Sequence, residues 1–171
     1  MKRILVTGGA GFIGSHTCLV LLEKGYKVFV IDSFENSSPK SLEKVLKILQ
    51  QKNNLKNNLE VFEGNLCDKK FLDKVFSSIH KFNNKIDGII HFAGVKSTYE
   101  STINPLFYWK TNVLGTINLL EIMCKYSCKN LVFSSSATIY GKKDSKVLIK
   151  ETSSIKPINT YGNTKLAIEH I

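Results

Sequence analysis

A tyrosine and a lysine four positions apart, near the carboxyl end of the sequence, could carry out acid–base chemistry. Tyr161 and Lys165 would share one face of a helix, because positions i and i+4 lie one turn apart. A free phenol, with a pKa of about 10, is a poor base at neutral pH, but a nearby ammonium group stabilises its phenolate form. Such a pair is common by chance, so it indicates a catalytic site only when other residues support it.

A run of serines supplies such support. Ser134 to Ser136 directly follow the apolar segment Leu131–Phe133, which has the composition of a buried strand. Ligands bind at the carboxyl ends of the strands in open parallel sheets. The run could be an ordinary polar turn, but its position favours a hydroxyl that orients a substrate.

A glycine-rich segment near the amino end has the pattern of a phosphate-binding loop. Gly9, Gly11 and Gly14 match G-x-G-x-x-G, and Gly8 precedes them after the apolar run Ile4–Val6. Glycines allow a tight turn and a close approach of the backbone to a pyrophosphate, and the following helix offers free N–H groups. The motif has a strand before it and a helix after it, so it predicts dinucleotide binding.

An acidic residue after the second strand specifies the nucleotide. Asp32 lies eighteen positions beyond Gly14, where a carboxylate can accept hydrogen bonds from both hydroxyls of the adenosine ribose and repel a 2′-phosphate. The alternative is that Asp32 only caps a loop. Together with the glycines, it predicts NAD as the cofactor, in preference to NADP.

Apolar runs and helical periodicities alternate along the chain. They predict strands at 4–6, 28–31, 59–62, 89–92 and 131–134, and helices at 12–24, 39–50, 69–81, 104–127 and from about 160. The fold class is therefore α/β, a doubly wound parallel (Rossmann) sheet. In the first helix Ile13, Thr17, Val20 and Leu21 are expected to lie on one side, and 51–58 is expected to be a surface loop. We interpret residues 1–171 as one NAD-binding Rossmann domain, truncated inside the last helix before a substrate domain.

Composition argues against other classes of function. The formal charge is +10, but Arg3 is the only arginine among 24 basic residues, and nucleic-acid readout favours arginine, so no nucleic acid is expected as a partner. An apolar run long enough to span a membrane is missing, and the first apolar stretch is too short for a signal peptide, so we expect a cytoplasmic protein without membrane contact. Cys18, Cys124 and Cys128 are expected to be inert buried thiols, and the spacing of cysteines and histidines predicts no metal site.

Taken together, the motifs resemble those of the extended short-chain dehydrogenase/reductase family, and within it the UDP-glucose 4-epimerases. The similarity spans the whole chain, which would correspond to the first half of such an enzyme. The matching segments are Thr7–Gly14, Asp32–Ser37, His91–Lys96, Asn112–Thr116, Phe133–Gly141 and Tyr161–Lys165.

The resemblance implies a role for each site residue. The catalytic residues would be Tyr161, as the base for the sugar 4-hydroxyl, Lys165, which also binds the nicotinamide ribose, and Ser136, which would hydrogen-bond the reacting oxygen. Substrate would contact Lys96, Ser136, Ala137, Thr138 and Tyr161. NAD would contact Gly8, Gly11, Phe12, Ile13, Gly14, Asp32, Ser33, Phe34, Glu35, Asn36, Ser37, Asn65, Leu66, Phe92, Ala93, Gly94, Lys96, Thr111, Tyr161 and Lys165.

Two positions depart from the family pattern. The family usually has Asp in place of Asn65, where the acid contacts adenine; the amide oxygen of Asn65 can still accept from the adenine amino group, so binding should weaken but persist. It also tends to have Asn in place of Thr111.

The implied activity is interconversion of UDP-galactose and UDP-glucose through a transient 4-keto intermediate, with bound NAD and a UDP-sugar substrate. The related 4,6-dehydratases carry Asp-Glu directly after the catalytic Ser or Thr, and the decarboxylases usually carry Glu; here Ala137 and Thr138 follow Ser136. The missing acid argues for epimerisation. The alternatives are another NAD-dependent sugar-nucleotide epimerase or dehydratase, or a truncated, non-catalytic NAD-binding module. The resemblance also implies a homodimer for a full-length enzyme, through the helices at 104–127 and after Thr160, whereas this fragment alone is expected to be inactive.

Overall fold

The computed structural model describes residues 1–51, 58–81, 84–142 and 148–171. Five parallel strands form one sheet in the order β3-β2-β1-β4-β5. The strands are β1 (Arg3–Thr7), β2 (Lys27–Asp32), β3 (Leu59–Glu63), β4 (Gly88–His91) and β5 (Leu131–Phe133). Because the strand order reverses between β1 and β4, the carboxyl ends of these two neighbours form the switch point at which ligands bind in such sheets.

Helical elements connect and follow the strands. The α-helices are α1 (Phe12–Glu23), α2 (Lys40–Gln51), α3 (Lys69–Ile79), α4 (Thr98–Ile103), α5 (Pro105–Tyr108), α6 (Gly115–Lys125) and α7 (Thr160–Glu169). A π-helical turn (Trp109–Leu114) joins α5 to α6, and a 3₁₀ turn (Ala137–Tyr140) follows β5.

Both faces of the sheet are covered, so the predicted doubly wound arrangement is confirmed. The residues of β1 and β2 alternate between two apolar cores, as the period of two in a strand requires. One core joins strand residues to α3 and α6, through Leu5, Phe29, Ile89, Leu72, Phe76, Leu119 and Ile122. The other joins strand residues to α1 and α2, through Val6, Val28, Val30, Cys18, Leu22, Leu42 and Val45.

The side of the first helix predicted from its periodicity is not the buried one, although Leu21 packs against the core shared with α1 and α2. Ile13 and Val20 are exposed, whereas Gly14, Cys18 and Leu22 are buried at intervals of four residues. Gly14 lets the helix approach the glycine loop closely, and that contact sets the rotation of α1 about its axis. Helix α1 is apolar nearly all round, so its periodicity did not identify the buried side.

The helix predicted at 104–127 differs in detail from the observed segment. Asn104 ends α4 with φ −125° and ψ 66°, and Pro105 begins α5, because proline fits the first turn of a helix. Helix α4 itself was not predicted. Most of the predicted loop at 51–58 lies outside the described residues, and Gln51 is the last residue of α2.

The chain divides into two compact units. One comprises 1–93 and 118–134 and contains the whole sheet; the other comprises 94–117 and 135–171 and contains α4, α5 and α7. The interpretation of 1–171 as a single domain stays a prediction.

The four cysteines are free. Burial, reinforced by the charge of Asp32, raises the pKa of the Cys18 thiol to about 12, and burial also raises the pKa of Cys128. Cys124 is exposed, so the expectation of a buried thiol was wrong there. None of the described helices is long and apolar enough to cross a membrane.

Candidate functional site

The glycine loop between β1 and α1 has a backbone that side chains would disrupt. Gly8 has a φ of +67°, a left-handed conformation that favours glycine, and a Cβ there would lie 2.7 Å from the backbone nitrogen of Ala93. A Cβ on Gly14 would collide with the carbonyl oxygen of Gly8. The sequence pattern therefore corresponds to real steric requirements at the switch point.

The start of α1 is open to an anion. Gly11 is the N-cap residue and has no side chain to accept a hydrogen bond from the first turn. Phe12 and Ile13 follow it with exposed fractions of 78% and 59%. Unsatisfied N–H groups and the positive end of the helix dipole suit a phosphate at this position.

Gly14→Ala is expected to destabilise the chain by about 1–3 kcal/mol, because the new methyl group meets backbone that cannot move freely. Urea denaturation of the wild type and the variant measures the effect. Gly88→Ala is the matched control, since a Cβ there makes only an ordinary contact, 3.5 Å from the Cβ of Asn130. Equal stability of Gly14→Ala and the wild type would contradict the steric argument.

The Asp32 carboxylate organises the loops on both sides of it. It is buried and accepts hydrogen bonds from the Ala10 N–H at 2.8 Å, the Phe34 N–H at 3.0 Å and the Ser37 hydroxyl at 2.7 Å. An ionised carboxylate has about four acceptor positions, so about one remains for a further donor such as a ribose hydroxyl. The loop-capping role and the ligand role of Asp32, taken as alternatives in the sequence, are thus compatible.

The rest of the loop after β2 folds around that carboxylate. Phe34 has a φ of 55°, unusual for a residue with a side chain, and packs against the core shared with α1 and α2. Ser33 is half-buried, whereas Glu35 and Asn36 are exposed.

The predicted adenine contact at Asn65 is partly occupied by the protein itself. Its side-chain oxygen accepts from the Cys67 N–H at 2.9 Å, and its amide nitrogen donates to Glu35 at 3.1 Å. One lone pair of the amide oxygen remains for an adenine amino group. The neighbouring Leu66 is buried in the core shared with α3 and α6.

Beyond β4, a buried polar pair supports the backbone next to the glycine loop. The Thr7 hydroxyl lies 2.6 Å from Nδ1 of His91, and the Ala93 N–H donates to the same hydroxyl at 3.3 Å. Phe92 packs at the edge of the core shared with α1 and α2. His91 begins one of the segments that match the family, but no role was predicted for it; its position at the end of a buried strand was the available signal.

In the second unit, α7 brings the tyrosine and the lysine together as predicted. The ammonium nitrogen of Lys165 lies 5.9 Å from the centre of the Tyr161 ring. Lys165 is 5% exposed, and desolvation lowers the pKa of its amine from 10.5 to about 8. The ammonium form therefore still predominates at pH 7. Asn159 caps the helix by accepting from the Gly162 N–H at 2.7 Å.

Ser136, the serine predicted to contact the reacting oxygen, is hydrogen-bonded to Thr138. The Ser136 hydroxyl oxygen accepts from the Thr138 backbone N–H at 3.2 Å and from the Thr138 hydroxyl at 2.9 Å. The 3₁₀ turn packs directly on the start of α7, since a Cβ on Gly162 would lie 3.0 Å from the Thr138 carbonyl oxygen. Ala137 is exposed, and the hydroxyl of the preceding Ser135 is buried without a hydrogen-bond partner among the described residues.

The buried side-chain amide of Asn112 links two segments of this unit. Asn112, in the π-helical turn, accepts from the Val95 N–H at 2.8 Å and donates to the Val95 carbonyl at 3.0 Å and to Thr164 at 3.1 Å. Thr164 in turn donates to the Tyr161 carbonyl at 2.7 Å. Asn112 and Thr164 thus tie the segment after β4 to the helix of Tyr161, and sequence reasoning missed both roles.

Gly94, Lys96 and Thr111 are the other residues of this segment that were predicted to contact the cofactor. Gly94 has a φ of +153°, and a Cβ there would lie 2.9 Å from the side-chain oxygen of Asn112 and 4.0 Å from the Lys165 nitrogen. Lys96 is exposed and Thr111 is half-buried. Across the described ranges of the chain, no three His, Cys, Asp or Glu side chains lie close enough to hold a metal ion.

The parallel sheet, the glycine loop and the tyrosine–lysine helix define an extended short-chain dehydrogenase/reductase. The family model described as GDP-mannose 4,6 dehydratase matches residues 5–171, and the chain belongs to that family.

Individual relatives are more specific. The chain is 49% identical over 170 residues to UDP-glucose 4-epimerase 2 of Arabidopsis thaliana, covering 99% of this chain and 46% of that protein. It is 45% identical over 168 residues to the UDP-glucose 4-epimerase of Yersinia enterocolitica, with 98% and 47% covered. The crystal structure of the Bifidobacterium longum UDP-glucose 4-epimerase with NAD⁺ and UDP superimposes with a TM-score of 0.87 at 39% identity, covering 99% of this chain and 47% of that one. The chain thus spans about half the length of the relatives it matches.

Proposed function

We propose that this chain provides the nucleotide-binding and acid–base residues of a UDP-glucose 4-epimerase, which interconverts UDP-galactose and UDP-glucose with NAD as its resident cofactor. The observation that carries the proposal is the helix α7, on which buried Lys165 lies beside Tyr161 and whose Gly162 packs against the turn that follows Ser136. The relatives named epimerases support it, because they match nearly the whole of this chain.

The residues of the glycine loop and of the loop after β2 fit NAD. The backbone at Gly8 and Gly14 leaves no room for side chains, the start of α1 is uncapped, and Asp32 keeps an acceptor position for a ribose hydroxyl. These residues would hold the pyrophosphate and the adenosine, while Lys165 would bind the nicotinamide ribose. Bound NAD would supply the reversible hydride acceptor that epimerisation at an alcohol carbon needs.

The chain itself supplies the proton chemistry. Tyr161 takes the proton of the sugar 4-hydroxyl, and the Lys165 ammonium stabilises the phenolate that must form first. Ser136 is well prepared as a donor, because its oxygen already accepts two hydrogen bonds from Thr138 and its own proton remains for the reacting oxygen.

A dehydratase is the second candidate, since the family model carries that description. Dehydration needs an acid and a base beyond the tyrosine, to remove a proton at C5 and a hydroxyl at C6. In this chain the exposed Ala137 follows Ser136, where the dehydratases have an acid. The methyl side chain of Ala137 can act neither as an acid nor as a base, and this favours epimerisation.

The test uses a fusion of this chain to the remaining carboxyl-terminal half of the Arabidopsis relative, to which it is 49% identical. We expect the fusion to convert UDP-galactose to UDP-glucose, and the 171-residue chain alone to show no useful turnover, because remote contacts to UDP orient the reacting carbon. Release of a 4-keto-6-deoxy sugar would indicate a dehydratase. A fusion that binds NAD but converts neither sugar would support a non-catalytic module.

The chain is expected to bind NAD at least about tenfold more tightly than NADP, because the Asp32 carboxylate repels a 2′-phosphate. Calorimetric titration of the chain with both cofactors measures this, and raising the salt concentration should narrow the difference. Substituting Asp32 is a poor test, since its carboxylate also holds Ala10 and Ser37. Equal or reversed affinity would refute the assignment of Asp32.

We also propose that the full-length protein is a homodimer, assembled through the helices at 104–127 and after Thr160. Large apolar side chains lie exposed on α4, α5 and the π-helical turn, and these form an apolar helix surface: Tyr99, Ile103, Leu106, Trp109 and Leu114. Several large exposed apolar side chains on consecutive helical segments favour an interaction site there.

Leu106→Lys in the fusion is expected to shift the dimer toward monomer, because it places a charge in that apolar helix surface, where Leu106 is 80% exposed. Analytical ultracentrifugation at micromolar concentration measures the change. Leu148→Lys, at an equally exposed leucine outside the surface, is the matched control. A fusion that sediments only as a monomer before any substitution would contradict the dimer.

A further inference from the structure

Both backbone polar groups of Ala10, which lies between two glycines, are hydrogen-bonded to side chains. Its N–H donates to the Asp32 carboxylate at 2.8 Å, and its carbonyl oxygen accepts from the Ser41 hydroxyl at 2.7 Å. Gly9 and Gly11 impose little preference on the backbone, so the orientation of these peptide groups depends on such external bonds. Asp32 ends β2 and Ser41 lies in α2, so two different elements fix one residue of the loop.

Ser41 has a rigid support. Leu42, Val45 and Leu49 of the same helix are buried in the core shared with α1. The Ser41 hydroxyl also lies 2.9 Å from the Ser38 carbonyl oxygen, but that oxygen already accepts the Ser41 backbone N–H at 3.1 Å. A hydroxyl has one proton, and the shorter contact is the one to Ala10. That contact spans 31 positions in the sequence, so it does more than cap α2.

The bond to Ser41 helps to determine which group the loop presents to a ligand, together with the bond from the Gly11 N–H to the Gly8 carbonyl oxygen at 3.2 Å. The Ala10 carbonyl belongs to the same peptide group as the Gly11 N–H, at the N-cap of α1. If this peptide rotated, a carbonyl oxygen could turn toward a phosphate and repel it, whereas N–H groups attract it. We propose that Ser41 is a positioning residue of the phosphate-binding loop, which holds the Ala10–Gly11 peptide in the orientation that a dinucleotide pyrophosphate requires. The identity of the ligand rests on the proposed function.

The experiment compares Ser41→Ala with the wild-type chain in calorimetric titrations with NAD, ADP and adenosine. Losing one hydrogen bond should weaken NAD and ADP about three- to tenfold, while adenosine, which has no phosphate, should bind as before. Ser41→Thr keeps the hydroxyl and should bind like the wild type. Ser78→Ala is the control, because that hydroxyl donates to the Val75 carbonyl of its own helix.

Three results would overturn the proposal: unchanged binding of NAD and ADP by Ser41→Ala, an equal loss for adenosine, or a loss in Ser41→Thr as large as in Ser41→Ala.

A second measurement needs no ligand. Hydrogen exchange followed by NMR should show the Gly11 amide, which belongs to the same peptide group and donates to the Gly8 carbonyl oxygen at 3.2 Å, exchanging severalfold faster in Ser41→Ala. The Leu5 amide in the core of β1 should be unchanged. If the wild type bound no NAD, the proposed function would fail, but this exchange result would still decide the role of Ser41. Unchanged exchange at Gly11 would overturn that role.

Discussion

Tyr161→Phe in the fusion is expected to lower turnover of UDP-galactose at least about a hundredfold, because removal of the phenol oxygen deprives proton abstraction of its base. The residual rate should come from binding and orientation alone. Bound NAD should be nearly unchanged, since the proposed pyrophosphate contacts are in the glycine loop, the proposed adenosine-ribose contact is Asp32, and the proposed nicotinamide-ribose contact is Lys165. The effect should therefore fall on kcat, with little change in the amount of cofactor that copurifies.

The structure explains why the ring should be retained when the oxygen is removed. The first turn of α7 is fixed by the Asn159 cap and by the bond from Thr164 to the Tyr161 carbonyl, and neither involves the phenol. Phenylalanine should therefore occupy the same position. Tyr26→Phe, at a tyrosine packed against the core shared with α1 and α2, is the matched control and should leave turnover intact.

The measurement is conversion of UDP-galactose to UDP-glucose, with bound NAD quantified in the same preparations. Wild-type turnover by Tyr161→Phe would remove the catalytic assignment, and with it the strongest reason to prefer an epimerase to an NAD-binding module. Loss of both turnover and bound NAD would instead indicate that the phenol supports the fold.

Lys165→Met is expected to stabilise the chain at pH 7 by a few kcal/mol, because it removes a charge that burial disfavours. Desolvation lowers the pKa of Lys165 from 10.5 to about 8. Each pKa unit corresponds to about 1.4 kcal/mol, so the folded state carries a cost of about 3 kcal/mol while the amine is charged in both states. A buried lysine that lowers stability is expected where its side chain serves catalysis, as proposed for Lys165.

The pH dependence of stability follows from the same shift. Between pH 8 and 10.5 the unfolded chain binds more protons at this lysine than the folded chain does. Stability therefore rises with pH in that window, and below pH 8 the cost is constant. From pH 7 to 9.5 the wild type should gain about 2 kcal/mol relative to Lys165→Met.

Urea denaturation of both proteins at pH 7, 8, 9 and 9.5 measures this difference, and effects of other titrating groups cancel between them. Lys110→Met, at an exposed lysine of the π-helical turn, is the control and should show no such trend. A constant difference between wild type and Lys165→Met across the pH range would mean that the pKa of Lys165 is not lowered. If the stability advantage of Lys165→Met over the wild type grew with pH, folding would raise the pKa of Lys165 and the prediction would be wrong.

The sequence was sufficient for the fold class and for the residues with distinctive chemistry. Buried parallel strands are apolar along their length, so the five strands could be located within one or two residues of their observed limits. The glycine pattern and the pair at positions 161 and 165 are also local, because their geometry depends on residues that are close in sequence. Family resemblance added the roles of these residues.

The sequence alone did not predict how a helix is rotated about its own axis. It also did not predict which distant segments are joined by hydrogen bonds. Helix α1 is apolar nearly all round, so only its contact with the glycine loop decides that Cys18 faces the core and Val20 faces solvent. Ser41, Asn112 and Thr164 are common residue types, and their partners lie 17 to 52 positions away. The sequence alone determined which residues can do chemistry; the tertiary structure decided which buried polar groups hold them in place, because a hydrogen bond depends on where two distant segments meet in space.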